Sequence, residues 1–205
     1  MKKVFMGSKR MQKRDERTGL FIGRFQPFHI GHLQDIRLIL RQTRHIIIAV
    51  GSAQEQAERD NCFSYQERRR MLLRSLTSAG IDMQRVRITP LQDTGKDVQW
   101  YRNAIRAAKT PEDSLFIYSA NPKVIRIFRS HGHKVRILHI RHGISSTRIR
   151  AMIRRNDEAW RKLVPSEVAC IIGTPRMVRR ICRLSTTKTK TIHHPAKIKR
   201  GNSHE

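Results

Sequence analysis

Apolar residues along the chain fall into short unbroken blocks, separated by longer stretches in which they recur every three or four positions. The blocks are Leu20-Phe21-Ile22 between Gly19 and Gly23, Ile46 through Val50 before Gly51, Val86 to Thr89 before Pro90, Leu115 to Tyr118, and Val135 to Ile140. Each predicts a strand. The second has no polar interruption, so it fits a strand buried on both faces. Between them, Gly31 to Gln42 carries Leu33, Ile36 and Leu40 at helical spacing, with Arg37 and Arg41 on another face. Ser64 to Ala79 opens on a Ser-x-x-Glu capping box (Ser64, Glu67) and closes at Gly80. Val98 to Ala108 stops before Pro111, and Pro122 to Ser130 starts on a proline that a first helical turn tolerates. Strands alternating with helices of about 10–15 residues predict βαβ crossovers. The fold class is α/β: a Rossmann-like open parallel sheet of about five strands with flanking helices. From Ser145 onward the pattern is helical only, over Thr147 to Arg155, Asp157 to Leu163 and Ser166 to Leu184. Gly173-Thr174-Pro175 should break the last of these, leaving a small C-terminal helical part.

The 205 residues suit one domain, placed at 18–184, between basic segments 1–17 and 185–205 that lack periodicity and are expected to be disordered. No run approaches the about 20 apolar residues of a membrane span, and the basic start has no apolar stretch behind it to make a secretory signal. Cys62, Cys170 and Cys182 are widely spaced without a CxxC, which predicts thiols in a cytoplasmic protein and no disulfide or zinc framework; the two later ones read as core fillers. Charge changes the picture more. Lys and Arg number 43 against 16 acids, a net +27. The N-terminal segment holds +5 and the C-terminal one +4, so the domain itself remains strongly basic. Such a field attracts polyanions, among them nucleic acid and nucleotide phosphates.

The candidate chemistry begins where the first strand meets the first helix: Gly23-Arg24-Phe25-Gln26-Pro27-Phe28-His29-Ile30-Gly31-His32. In an open α/β sheet, ligands bind outside the carboxyl ends of the strands, and a helix N-terminus offers free N–H donors to a phosphate. His29 and His32 place two imidazoles there, Gly31 permits a close backbone approach, and Arg24 adds a permanent cation. A bland alternative is that both histidines only cap the helix. A second element, Ile144-Ser145-Ser146-Thr147-Arg148-Ile149-Arg150, has hydroxyls that either cap their own helix or bind phosphate, with Arg150 as a clamp.

The two stretches together resemble the HIGH-type nucleotidyltransferases, and Gly23 to His29 resembles, more narrowly, the archaeal-type nicotinamide-nucleotide adenylyltransferases. The likeness extends through Gly51-Ser52-Ala53-Gln54, Phe63-Ser64 with Glu67-Arg68, Tyr118-Ser119 with Asn121-Pro122, and Val164-Pro165, spanning about residues 18–183. It implies ATP and nicotinamide mononucleotide (NMN) as substrates, NAD and pyrophosphate as products, and Mg²⁺ carried by the ATP phosphates rather than by a protein metal site. It also implies in-line attack of the NMN phosphate on the α-phosphorus, a reaction driven by positioning and charge stabilisation. Carried over by motif, His29, His32, Arg24 and Arg150 are the catalytic residues. ATP is held by Gly23, Arg24, Phe25, His29, Gly31, His32, Asn121, Ser146, Thr147 and Arg150. Trp100 stacks on the nicotinamide ring and Asp97 contacts its carboxamide. The family tends to form homo-oligomers.

The chain departs from that pattern in places. Asp97 stands where the family usually has Asn, Cys62 where it has Pro, Ala120 where it has Gly, and Asp60 where a basic residue is common, with Arg59 one place out of register. These bear on the acceptor more than on adenylyl transfer. Nicotinate mononucleotide, phosphopantetheine and FMN are therefore alternative acceptors, and a non-catalytic nucleic-acid-binding or regulatory protein on the same scaffold is the alternative from another class.

Overall fold

The computed structural model describes residues 15–54, 60–139 and 143–184. Five parallel strands, β1 (Asp15–Gly23), β2 (Thr43–Val50), β3 (Val86–Pro90), β4 (Leu115–Ser119) and β5 (Val135–Ile137), form one sheet in the order β3-β2-β1-β4-β5. The helices are α1 (Ile30–Gln42), α2 (Tyr65–Ser78), α3 (Asp97–Ala108), α4 (Pro122–Ser130), α5 (Ser146–Arg154), α6 (Ser166–Ile172) and α7 (Pro175–Arg183).

The uninterrupted apolar runs behave as a doubly covered sheet requires. Ile46, Ile48 and Val50 of β2 point into one core layer with Ile36, Ile39, Met71 and Leu72 of α1 and α2. Their neighbours Ile47 and Ala49 enter the other layer, with Trp100, Ala104 and Phe128 of α3 and α4. The period of two thus divides one strand between two cores. Gly19 lets α1 lie close on β1, since a Cβ there would meet Ile39 Cγ2 at 2.5 Å. The Ser64–Glu67 capping box forms as expected.

Several boundaries differ from expectation. β1 begins at Asp15, inside the segment assigned to the extension, and β2 begins at Thr43, because parallel pairing starts below their apolar centres. β5 pairs only from Val135 to Ile137, and Ile140 lies outside the described residues, as do 1–14, 185–205 and Arg59. The long C-terminal helix is broken at Gly173, as its Gly-Thr-Pro predicts. Of the cysteines, Cys62 is the buried one; Cys170 is exposed and Cys182 half-buried, because Cys170 falls on the outer side of α6. No helix among the described residues is long and apolar enough to cross a membrane.

Candidate active site

After β1 the chain crosses to β2 and β3 on one side, then returns to place β4 on the other side of β1. The β1–β4 junction is therefore the topological switch point, where a crevice opens beyond the strand ends. A cleft of about 590 Å³ occupies it, walled by Gly23, Arg24, His32, Asn121 and Trp100 among others.

The first wall is built by the turn from β1 into α1. Phe25 takes a left-handed backbone (φ 52°) and the Gln26–Pro27 peptide is cis. The Phe25 ring folds back so tightly that a Cβ on Gly23 would lie 2.9 Å from its Cζ. His29 caps α1. Its Nδ1 accepts the His32 backbone N–H at 3.3 Å, and His32 Nδ1 accepts the His29 N–H at the same distance. The two rings stack, centroids 3.5 Å apart. A Cβ on Gly31 would stand 3.1 Å from His29 Nδ1, so the stacked pair leaves little space there for a side chain. This geometry assigns the protons: with each Nδ1 an acceptor, a neutral ring carries its hydrogen on Nε2. Burial pushes His29 down to about 4. Burial, and then the charge of His29, hold His32 well below the usual imidazole value. At neutral pH the pair is a set of uncharged N–H donors at a positive helix end. Capping and phosphate binding, posed as alternatives by the sequence, are thus compatible: Nδ1 caps, and Nε2 is left over.

Arg68 ties the neighbouring loops together. Fully buried, it donates to the carbonyls of Arg24 (2.8 Å), Gly51 (2.6 Å) and Ser52 (2.9 Å). Gln26 locks onto Phe63 by two bonds, donating to its carbonyl and accepting from its N–H. On the far wall, Asp93 receives the Ser52 hydroxyl at 2.6 Å and the Trp100 indole N–H at 3.2 Å, which fixes the indole edge. Asn121 caps α4 by accepting the Lys123 N–H at 2.9 Å, and its own N–H is held by Ser119 Oγ at 3.0 Å.

The second motif packs against the first. Ser146 Oγ donates to the Pro27 carbonyl at 2.9 Å. Arg150, 2% exposed, donates to the Gln26 carbonyl at 2.8 Å and to Asp60 Oδ1 at 2.5 Å. Thr147 is exposed. None of the three lines the cleft. Helix α5 packs behind the turn, where the carbonyls of Gln26 and Pro27 need donors, so this motif clasps the backbone of the first. Burial lowers the Arg150 guanidinium, against the opposing effect of the hydrogen bond it donates to Asp60. The Asp97 carboxylate pairs with Lys123 (3.1 Å) and Arg126 (2.7 Å), and Asp97 is not among the residues that line the cleft. Those two hydrogen bonds hold its carboxyl below the usual range.

With the site described, its relatives can be placed. The cytidylyltransferase-like family model matches residues 20–152. The chain is 39% identical over 165 residues to a nicotinamide-nucleotide adenylyltransferase of Pyrobaculum arsenaticum, covering 80% of this chain and 91% of that protein. It is 40% identical over 152 residues to the enzyme of that name from Saccharolobus solfataricus, covering 73% and 86%. The chain belongs to the nicotinamide-nucleotide adenylyltransferase family. Among solved structures, it resembles a bifunctional NMN adenylyltransferase/ADP ribose pyrophosphatase from Francisella tularensis complexed with AMP and manganese, at 25% identity and a TM-score of 0.65. The match covers 82% of this chain and 52% of that one.

In this adenylyltransferase, the cleft also contains residues that the motif reading gave no role: Asp35, Ser52, Thr94 and Lys123. Asp35 was within reach of sequence reasoning, since it follows His32 by three positions on one helix and so shares its face. Ser52 and Lys123 enter only through the folding of their loops. Phe25, His29 and Gly31 stand behind the wall that Gly23, Arg24 and His32 present.

Proposed function

We propose that the protein transfers the adenylyl group of ATP to NMN. An NMN phosphate oxygen bonds to the α-phosphorus as the bond to the pyrophosphate oxygen breaks, releasing NAD and pyrophosphate. The observation that carries this reading is the neutral His32, stacked on His29 at the start of α1 and lining a cleft that Trp100 also lines. In-line phosphoryl chemistry asks for donors and cations held still rather than for a nucleophile. His32 Nε2–H, the α1 N-terminus and Arg24 supply them to the triphosphate. His29 orients His32, Asn121 borders the adenylate half, and Trp100 offers its indole to the pyridinium ring. The last point favours a pyridine nucleotide over phosphopantetheine or FMN as acceptor. Magnesium, when bound, neutralises phosphate charge. The Asp93 carboxylate already accepts from Ser52 and Trp100, and the ion is placed in this reading on the ATP phosphates. Ser146, Thr147 and Arg150 act in this reading on the turn that carries the histidines.

Cys62, Cys170 and Cys182 stand outside any disulfide among the described residues, which supports a cytoplasmic setting. A homo-oligomer is proposed from the family, with light scattering as its test. Polyanion contact is proposed for the groove at the amino ends of the strands, lined by His45, Arg85, Arg87 and Lys109. The catalytic reading is tested by His32→Ala. With the fold retained by circular dichroism, NAD formation should fall at least about 10²-fold, the usual cost of one well-placed donor. An unchanged rate overturns it.

A further inference from the structure

The end of the sheet away from the cleft carries charge that adenylyl transfer does not use. The groove at the amino ends of β2 and β3 is lined by His45, Arg85, Arg87 and Lys109 among others. A second groove lies between the C-terminal half of α1 and the turn after α2, with Arg37, Arg41, Asp82 and Arg85 in its wall. Arg85 belongs to both, so the grooves adjoin there. Its guanidinium is pinned where α1 passes into β2: it donates to the carbonyls of Arg44 (2.8 Å), Leu40 (2.6 Å) and Thr43 (2.9 Å). Arg37 and Arg41 are exposed and four residues apart on α1, hence on one face. Lys109 is exposed at the end of α3. Among the described residues, Asp82 is the one carboxylate in either wall, and its Oδ1 accepts the Gln84 N–H of its own turn at 3.0 Å. Five cationic side chains thus focus a positive field into two recessed, adjoining walls.

A lone phosphate or a nucleotide engages one groove; a partner that engages both is an extended polyanion. Among the described residues, no Phe, Tyr or Trp lines either groove, so unpaired bases find no ring to stack on. The exposed large apolar side chains, Val98 and Ile137, lie in neither wall, which leaves a lipid surface nothing to bury there. What the face offers is contact with backbone phosphates, and a double helix packs those densest, about one charge per 1.7 Å of axis.

We infer that this face binds the phosphate backbone of double-stranded nucleic acid across both grooves, without reading base sequence. The inference rests on the polyanion reading of the first groove and names its partner. Thr18 lines that groove and Gly23 lines the cleft, at opposite ends of β1. They are separated by roughly 17 Å at about 3.3 Å per residue. The cleft therefore stays open to ATP while a duplex is held.

The test is fluorescence anisotropy of the full-length protein with a short labelled DNA duplex over a series of salt concentrations. Arg41→Gln removes a charge from the second groove and Lys109→Gln one from the first. Each should weaken binding and make the slope of log K against log[salt] shallower by about 1, and the double variant by about 2. The control is Arg102→Gln with Lys162→Gln, both exposed and in neither groove. It lowers net charge equally and should leave the slope unchanged. Duplexes of unrelated sequence should bind alike, and saturating duplex should not slow NAD formation. If Lys109→Gln acts and Arg41→Gln does not, the first groove takes polyanions alone; this inference falls and that reading stands. Loss of binding in the control as large as in the double variant, inhibition of NAD formation by duplex, or binding of phosphatidylserine vesicles in place of duplex overturns the inference as well. If neither duplex nor heparin binds, the polyanion reading falls with it.

Discussion

The smallest unit that explains the site is the imidazole pair. Each ring gives its Nδ1 to the other residue's backbone N–H, which leaves Nε2 outside that exchange. The pH consequence follows from His29. Its unfolded value is 6.5 and its folded value about 4, so between those limits the unfolded chain binds more protons. Stability is full above about pH 6.5 and is lost as pH falls toward 4, by on the order of 3 kcal/mol for this group. His29→Asn retains a helix cap but has no titrating ring. It should flatten the fall of Tm between pH 6.5 and 4 relative to the native protein; an identical pH dependence would count against a buried neutral His29. Much of this was legible beforehand: a His-x-Gly-His after a strand ending in glycine already located the pair. Its tautomers were not, because they depend on reciprocal bonds that only the folded turn creates.

Among the elements, α5 most needed the structure. Its Ser-Ser-Thr could cap its own helix or bind phosphate with Arg150, and sequence spacing treats the two alike. In the fold, the Gln26 and Pro27 carbonyls face α5 and accept from Arg150 and Ser146. Arg150→Ala should leave the Gln26 carbonyl without that donor, costing about 1–3 kcal/mol, and should impair catalysis by loosening the turn. Urea unfolding combined with kinetics checks both effects; a variant of native stability would remove the clasp from the account. Gly31→Ala is the complementary case. Alanine improves helix propensity by nearly 1 kcal/mol, yet its Cβ would crowd His29 Nδ1 at 3.1 Å. Activity should drop about tenfold while Tm stays within a few degrees. The strands were legible as apolar runs because both faces of the sheet are covered. Their ends were not, since pairing in β1 and β2 extends into polar residues.

Over the whole molecule, the strand order puts the HIGH-type turn, the indole wall and the α4 cap around one cleft at the switch point, although they come from positions nearly a hundred residues apart. Alternating strand and helix signals announced that architecture, whereas the ion pairs of Asp97 and Arg150 are long-range and left no periodic trace. The net +27 belongs to this scale too. If the groove containing Arg85, Arg87 and Lys109 takes polyanions, Arg87→Glu with Lys109→Glu should weaken binding of a fluorescent oligonucleotide and lessen its salt dependence, leaving turnover of ATP intact. The central claim is met most directly by separating the products of a reaction containing the purified protein, ATP, NMN and Mg²⁺. The account predicts NAD and pyrophosphate in equal amounts; folded protein that leaves both nucleotides unconsumed would contradict it.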